Sequence, residues 1–365
     1  MAEVLEAVLA ERVQNRIQEG QQSALPVLQS IQRESESLTD YHGYLGANGN
    51  VAFHSNGSLK MVLDNEHYGF NSHAIGQTAG RLGVPMKYIK DLASGDQWHR
   101  DLAANILNEH KSHTKRNKVL IRAVDGEVRG VLSERYKRLN TAQIYKQFLV
   151  ANKNHGAVVV GAALSPTKSY VETLIPNMVR IETPKNGNVH VVFGARIGNS
   201  DFGAGSLEVR TFMLQAVCSN GMVTNSALRQ KHLGGVISDD IEISNHTVEL
   251  QTRAQASEVN DLISTLLSTE GIQRHIDSIQ QSSAKTIDIP KELKRLPQSG
   301  MLKEEISLVE QVLMNNNSDD GVYGEGTAWK LSQAITAVAR DAEPARRRDL
   351  ETIGGTYLPE VKLTV

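Results

Sequence analysis

The sequence predicts an α+β fold: a mainly antiparallel sheet built of hairpins, with one crossing helix and with helices at both ends of the chain. Segments of alternating hydrophobicity, which are typical of strands, outnumber the helical segments between them. Helical periodicity is concentrated before residue 40 and after residue 245. We therefore expect an N-terminal helical arm at 1–40, an α+β core domain at 41–245 and a C-terminal helical region at 246–365.

The stretch 189–223 lies at the centre of the predicted sheet. Its first part places an apolar or small residue at every second position, as in a half-buried strand: Val189, Val191, Phe193, Ala195 and Ile197. A polar, glycine-rich turn follows at 198–205, and alternation resumes at Leu207. The turn sequence Cys218-Ser219-Asn220-Gly221 ends the segment, because Asn and Gly accept positive φ angles.

Shorter elements precede this stretch. Residues 2–34 predict one or two amphipathic helices, with Gly20 as the boundary if there are two. Residues 51–62 predict a hairpin around Asn56-Gly57, and 73–82 predict a helix that ends before Gly83 and Pro85.

A second hairpin is predicted where the chain is basic. Strands at 118–124 and 127–132 flank Asp125-Gly126, a strong two-residue turn signal. The register of such a hairpin places Arg122 opposite Arg129, which is destabilising unless an anion lies nearby. Either a carboxylate of the chain or a bound phosphate backbone would relieve the repulsion, and the carboxylate is the favoured alternative.

The remaining elements complete one sheet of about six or seven strands. Asn140 or Thr141 can cap a helix that lies across it with Ile144, Tyr145 and Phe148 on its apolar face. The apolar strand at 157–164 is expected to be central. A strand at 170–175 is expected to end at Pro176, and residues 178–181 can continue its line beyond the proline. Beyond Gly235, helices are predicted at 248–279, 302–314 and 327–340, with a connector at 282–300 and a loop at 315–321.

Charge is distributed unevenly along the chain. The formal net charge is −2, but the segment 110–140 contains nine Lys/Arg against three Asp/Glu. The segment 239–320 contains seven Lys/Arg against fifteen Asp/Glu. This polarity is compatible with a polyanion-binding face, with subunits that meet basic end to acidic end, or with an ordinary solvated surface.

The cysteine content and the hydropathy indicate the compartment. A single cysteine allows no intrachain disulfide, so a reducing cytoplasm is expected. The N-terminus lacks the apolar core of a signal peptide, and no stretch approaches the roughly 20 apolar residues of a membrane span. We expect a cytoplasmic chain with no membrane partner.

The motifs of common enzymes are missing from the sequence. No dinucleotide fingerprint and no P-loop occur, and His110-x-x-His113 has no matching Cys or carboxylate set for zinc. Cys218 is expected to be a core residue rather than a nucleophile. The sequence Asn199-Ser200-Asp201 can hold a cation or a phosphate, but a structural turn is the favoured interpretation. We therefore predict no catalytic residue, no cofactor and no metal site.

The second hairpin and the residues after it interleave basic residues with the aromatic Tyr136. Such a surface suits a single strand of nucleic acid, because the cations neutralise phosphates and bases stack on the aromatic ring. Lys111, Lys115 and Arg116 lead into the hairpin, and Arg229 can extend the basic surface. A solvated face with a half-buried Tyr136 is the alternative. The predicted nucleic-acid-binding residues are Lys118, Arg122, Arg129, Arg135, Tyr136, Lys137, Arg138, Arg196, Arg210 and Lys231.

Four blocks of the sequence resemble the phage and plasmid protein family called domain of unknown function 932. They are Gly76-Gln77-Thr78-Ala79-Gly80-Arg81-Leu82-Gly83-Val84-Pro85; Val131-Leu132-Ser133-Glu134-Arg135-Tyr136; Gly198-Asn199-Ser200-Asp201-Phe202-Gly203 with Val217-Cys218-Ser219-Asn220-Gly221-Met222; and Thr327-Ala328-Trp329 with Gly354-Gly355. The resemblance implies a mobile-element protein that is encoded among replication, recombination or anti-defence genes. It implies no catalytic residue.

These observations favour a non-catalytic, homo-oligomeric phage-type protein that binds or anneals single-stranded DNA. The alternative is a structural or host-interaction protein, for example an inhibitor of a host defence system, that acts through its acidic C-terminal region. A metal-dependent nuclease or nucleotidyltransferase that uses Asp201 and Glu208 is a third, less favoured hypothesis.

Overall fold

The structure is a computed structural model that describes residues 2–115, 117–216, 220–232, 243–315, 322 and 324–360. It confirms the α+β class, with hairpin-rich antiparallel sheets and helices at both ends of the described chain. The prediction of one sheet is wrong, because the described strands form two sheets of six and five strands. Cys218 and most of the loop 315–321 lie outside the described residues.

The first sheet has the strand order β1-β5-β6-β4-β3-β2. Neighbouring strands are antiparallel except β4 and β6, which pair in parallel through Gly69↔Glu127 and Phe70↔Val128. Its strands are β1 (Leu38–Leu45), β2 (Val51–His54), β3 (Lys60–Leu63), β4 (Glu66–Phe70), β5 (Asn117–Val124) and β6 (Glu127–Ser133).

Three helices connect β4 to β5 and pack on the first sheet. They are α2 (Ser72–Arg81), α3 (Met86–Ala93) and α4 (Gln97–His113). Ile75, Ile89 and Leu107 from these helices share one core with apolar residues of the strands. The predicted hairpin at 51–62 and the predicted helix at 73–82 are both confirmed.

The second sheet is an antiparallel meander with the order β11-β10-β9-β8-β7. Residues 157–164 therefore form an edge strand and not a central one, and their apolar run is explained by the helix packed along them. β8 does not end at Pro176, and residues 178–181 do continue its line after an irregularity between Leu174 and Met178. The strands are β7 (Val158–Leu164), β8 (Ser169–Thr183), β9 (Gly187–Asn199), β10 (Leu207–Gln215) and β11 (Asn220–Gln230).

β9 is the middle strand of this sheet, and it is buried on both faces from Val189 to Asn199. Val191 and Phe193 belong to one core with Trp329, whereas Val192 belongs to another with Leu9. The alternation in its sequence predicted a strand correctly. It did not predict the burial of the second face, which depends on helices distant in sequence.

The other helices surround the second sheet. The N-terminal arm is one helix, α1 (Ala2–Ser37), which runs along β7 and β8. Asn140 caps the helix that follows β6 by accepting a hydrogen bond from the Gln143 amide at 3.0 Å, as predicted. The remaining helices are α5 (Thr141–Asn154), α6 (Asn245–Leu266), α7 (Thr269–Ala284), α8 (Ile289–Leu293), α9 (Lys303–Asn315), α10 (Ala328–Ala339) and α11 (Pro344–Gly355).

The helices predicted at 302–314 and 327–340 are confirmed as α9 and α10. The segment 248–279 is divided into α6 and α7, because Ser268 caps a new helix by accepting from the Gly271 amide at 3.0 Å. α11 was not predicted. Among the described helices, none is long and apolar enough to cross a membrane.

Candidate nucleic-acid interface and the cleft beside it

The hairpin formed by β5 and β6 turns at Asp125-Gly126 as predicted, and both residues have positive φ angles. Ala123 pairs with Val128 as expected. The register then shifts, so that Arg122 lies opposite Gly130 rather than Arg129. The predicted apposition of Arg122 and Arg129 is therefore wrong. The extra residue of such a bulge lets the two like charges reach different partners.

Both arginines are held by carboxylates of the chain. Arg122 is 3% exposed and donates through Nε to Asp40 Oδ1 at 2.8 Å and through one terminal nitrogen to the Asp201 carbonyl at 2.8 Å. Arg129 donates to Glu34 Oε1 at 2.7 Å. The sequence left open whether a carboxylate of the chain or a bound phosphate backbone lies beside these arginines. The structure shows carboxylates beside both.

The glycine-rich turn 198–205 joins the two sheets. The carbonyl of Phe202 accepts from Gln77 Nε2 at 2.9 Å, and His73 Nε2 lies 3.0 Å from the same oxygen. Gly130 of β6 allows a close approach, because a Cβ at this position would be 3.2 Å from the Phe202 Cα. The turn therefore docks onto the first sheet by its main chain.

Polar side chains at the base of the turn form a network, which we call the junction: Asp40, Arg122, Tyr136, Thr141, Asn199, Asp201 and His232. Asn199 Nδ2 donates to Thr141 Oγ1 at 2.6 Å, and Thr141 donates to Asp201. His232 Nε2 is 2.8 Å from Asn199 Oδ1, and the Tyr136 hydroxyl donates to the Ser200 carbonyl at 2.8 Å. A structural turn is therefore sufficient to explain the contacts of Asn199-Ser200-Asp201, without a bound cation or phosphate.

Burial and charge both act on the titratable groups of the junction. Burial alone would lower the pKa of Arg122, but Asp201 and Asp40 raise it above its ordinary value. Burial lowers the pKa of His232, although Asp201 partly opposes the change. Burial also raises the pKa of Tyr136. The histidine is therefore neutral and the arginine charged at neutral pH.

Asp201 and Glu208 do not share a site. Asp201 contacts Arg122 and Thr141, whereas Glu208 pairs with Arg210 at 2.7 Å and with Arg229 at 3.3 Å. In the described part of the chain, no group of three or more His, Cys, Asp or Glu residues is arranged to hold a metal ion.

The predicted binding residues divide into two classes. Six are buried or held by ion pairs: Lys118, Arg122, Arg129, Arg138, Arg196 and Arg210. Arg135 and Lys231 are exposed, and Tyr136 and Lys137 are half-buried. Arg116 lies outside the described residues.

Three exposed basic residues and the half-buried Lys137 form a surface that we call the basic arc: Arg135, Lys137, Arg229 and Lys231. The Lys137 amide donates to the His232 carbonyl at 3.2 Å, which places Lys137 beside Lys231. Arg229 lies two residues before Lys231, opposite Glu208 in the adjacent strand. The segment that follows β6 and the end of β11, which are distant in sequence, thus bring their cations together at the edge of the second sheet.

A cleft of about 490 Å³ lies next to this edge, between the second sheet and the first turns of α11. Five basic residues line it: Lys168, Arg196, Arg210, Arg346 and Arg348. Sequence reasoning included Arg196 and Arg210 but missed the others. The run Pro344-Ala345-Arg346-Arg347-Arg348 carried the available signal, since Pro is favoured in the first turn of a helix.

Ion pairs brace the wall of the cleft. Arg196 of β9 donates to Glu351 of α11 and lies 2.8 Å from Glu172 of β8. Glu351 is 2% exposed and also binds Arg347 at 2.9 Å. Burial alone would raise the pKa of Glu351, but Arg196 and Arg347 lower it, so the carboxylate stays charged. The helix and the sheet are therefore held together by charge as well as by apolar packing.

Comparisons with known proteins find no matching family model, no similar curated protein and no similar solved structure. The resemblance to the phage and plasmid family therefore stays a prediction.

Proposed function

We propose that this chain binds single-stranded nucleic acid, DNA in the first place, through the basic arc. One observation supports the proposal most strongly. Arg135, Lys137 and Lys231 are at least partly exposed, and none of them has a carboxylate within 4.0 Å among the described residues. Their charges are available to phosphates, whereas those of Arg122 and Arg129 are already matched by carboxylates.

The proposal is a non-catalytic one. Holding a strand by its phosphates leaves the bases accessible, which is what annealing to a complementary strand requires. A homo-oligomer would place several basic arcs along one strand, and each added contact would increase the effective concentration of the next. The resemblance to domain of unknown function 932 favours a setting in recombination or replication.

A salt titration tests the proposal directly. Binding of a labelled single-stranded oligonucleotide is measured by anisotropy for the unmodified protein and for the triple variant Arg135→Glu, Lys137→Glu, Lys231→Glu. If three phosphate contacts are lost, the slope of log K against log salt should become shallower by about 2. RNA and duplex DNA of the same length serve as further ligands.

A matched control has the same change of net charge elsewhere. Lys291, Lys294 and Lys303 are exposed residues of the C-terminal helical region, and their replacement by Glu should leave the slope unchanged. Absence of binding at low salt, or an equal loss in both triple variants, would exclude the basic arc as the interface.

A second candidate function rests on the opposite charge. Glu258, Asp261, Glu270 and Asp277 are exposed carboxylates on α6 and α7. Such a surface suits a basic partner protein and would act as a mimic of nucleic acid. Affinity capture from host lysate, with and without nuclease, separates the two candidates. Capture of a protein that survives nuclease treatment and is lost on charge reversal of these four residues would favour the second.

A further inference from the structure

The cleft beside the basic arc has a cation that its own ion pairs do not neutralise. Arg196, Arg210 and Arg346 are matched by Glu172, Glu208 and Glu305, respectively. Lys168 also lines the cleft, but no carboxylate lies within 4.0 Å of its ammonium group in the described part of the chain. The backbone of Lys168 is fixed by the turn at 165–168, where its carbonyl accepts from the Ser165 amide at 2.8 Å.

Arg348, in the second turn of α11, supplies a second cation. Its guanidinium carbon lies 4.5 Å from the centre of the Tyr170 ring. Burial lowers the pKa of Arg348, and Glu172 and Glu351 oppose the change only in part. Because a desolvated cation gains more from an approaching anion than an exposed one, Arg348 favours a negatively charged ligand in the cleft.

The main chain leaves the space in front of Lys168 open. Gly205 lines the cleft, and a Cβ at this position would lie 3.4 Å from Lys168 Cε. Any larger side chain would extend toward the ammonium group. The cleft volume of about 490 Å³ is within the usual range for small-molecule sites and is sufficient for a nucleotide.

We propose that this cleft binds a phosphate monoester through Lys168 and Arg348. A monoester carries a charge of about −1.5 to −2 at pH 7, so two cations suit it better than they suit the single charge of a backbone diester.

Two sources offer this chemistry: a free nucleotide and the 5′-phosphorylated end of a single strand. The second source rests on the proposed function, because the strand would continue from the cleft along the basic arc. Glu208 connects the two surfaces, since it lines the cleft and pairs with Arg229 of the basic arc.

The experiment compares three probes on the full chain at one salt concentration. They are a 5′-phosphorylated oligothymidylate, the same oligonucleotide with a 5′-hydroxyl, and deoxythymidine 5′-monophosphate. We expect the phosphorylated strand to bind about tenfold more tightly than the hydroxyl strand. The mononucleotide should compete with the phosphorylated strand and remove this difference in affinity. Lys168→Gln with Arg348→Gln should reduce the ratio of the two affinities from about ten to about one.

A second variant covers the case in which loss of Arg348 disturbs α11. Gly205→Asp places a carboxylate in front of Lys168 and should also abolish the difference in affinity. The matched control, Lys291→Gln with Arg295→Gln, removes two positive charges from the C-terminal helices and should retain it.

The outcomes separate this inference from the proposed function. Equal binding of both strands, together with no binding of the mononucleotide, overturns the inference while the proposed function stands. Mononucleotide binding without strand binding supports the cleft and assigns it to the free nucleotide. A preference for the phosphorylated strand that persists in both cleft variants also overturns the inference.

Discussion

Arg122 and Lys168 both lie beside the glycine-rich turn 198–205, but their surroundings differ. Arg122 is buried in the junction, where Asp40 and Asp201 compensate its charge. Lys168 is half-buried at the cleft, and its contacts within the described chain include no carboxylate. The junction uses its charge to hold two sheets together, whereas the cleft keeps charge available for a ligand. Basic residues close together in sequence therefore do not make a binding surface unless the fold leaves their charge uncompensated.

The largest difference between the two regions should appear on removal of a charge. Arg122→Met leaves the half-buried carboxylates of Asp40 and Asp201 without their shared partner, although Asp40 keeps Arg138 at 3.4 Å, so the free energy of unfolding should fall by about 3 kcal/mol. Urea denaturation measures the change. Arg135→Met, which removes an exposed arginine of the basic arc, should alter stability by no more than about 0.5 kcal/mol. Equal losses in the two variants would contradict the assignment of Arg122 to a structural role.

The junction should also be sensitive to pH. Burial keeps His232 neutral in the folded protein, whereas the unfolded chain binds a proton near the ordinary pKa of 6.5. Below pH 6.5 the unfolded state therefore binds more protons than the folded state. The free energy of unfolding decreases as the pH falls from 6.5 toward the lower pKa of His232 in the folded protein. Each unit of pKa difference corresponds to about 1.4 kcal/mol.

His232→Gln tests this expectation. The variant should show a flatter dependence of unfolding free energy on pH as the pH falls below 6.5, because the lowered pKa of His232 no longer contributes. His246→Gln, at an exposed position of α6, is the control and should keep the original dependence. If His232→Gln kept the original pH dependence of the unfolding free energy, other groups would be its source.

A smaller effect is expected from the hydroxyl of Tyr136. It donates to the Ser200 carbonyl at 2.8 Å, while the ring stacks on His232 at a centroid distance of 5.0 Å. Tyr136→Phe keeps the ring and removes the hydrogen bond, so stability should fall by about 1 kcal/mol. Tyr88→Phe, at an exposed position of α3, should have no measurable effect. Thermal unfolding of both variants gives the comparison.

The smallest effect on stability should be at the cleft. Lys168→Gln removes a charge without breaking an ion pair, so the free energy of unfolding should change by less than about 0.5 kcal/mol. A loss of more than about 1 kcal/mol in urea denaturation would mean that Lys168 stabilises the fold, and the contrast with Arg122 would fail.

Local sequence patterns determined most of the individual elements. The turns at Asn56-Gly57 and Asp125-Gly126, the cap at Asn140 and the alternation from Val189 to Ile197 are each confirmed. Their causes lie within a few residues, because capping, turn conformation and side-chain alternation are local effects. The α+β class follows from the same signals. α11 was missed because its mixture of arginines and carboxylates has a weak apolar period.

Only the tertiary structure decided how these elements combine and which charges remain available. The sequence did not indicate two sheets, the edge position of β7 or the bulge beside Arg122. The decisive contacts join distant residues: Arg122 and Asp40 are 82 positions apart, and Arg196 and Glu351 are 155 positions apart. An ion pair between residues so far apart in sequence forms only when the folded chain brings its partners together, and no local pattern records that distance. For this reason the basic residues of the chain were visible in its sequence, but their division into a structural junction and an open cleft was not.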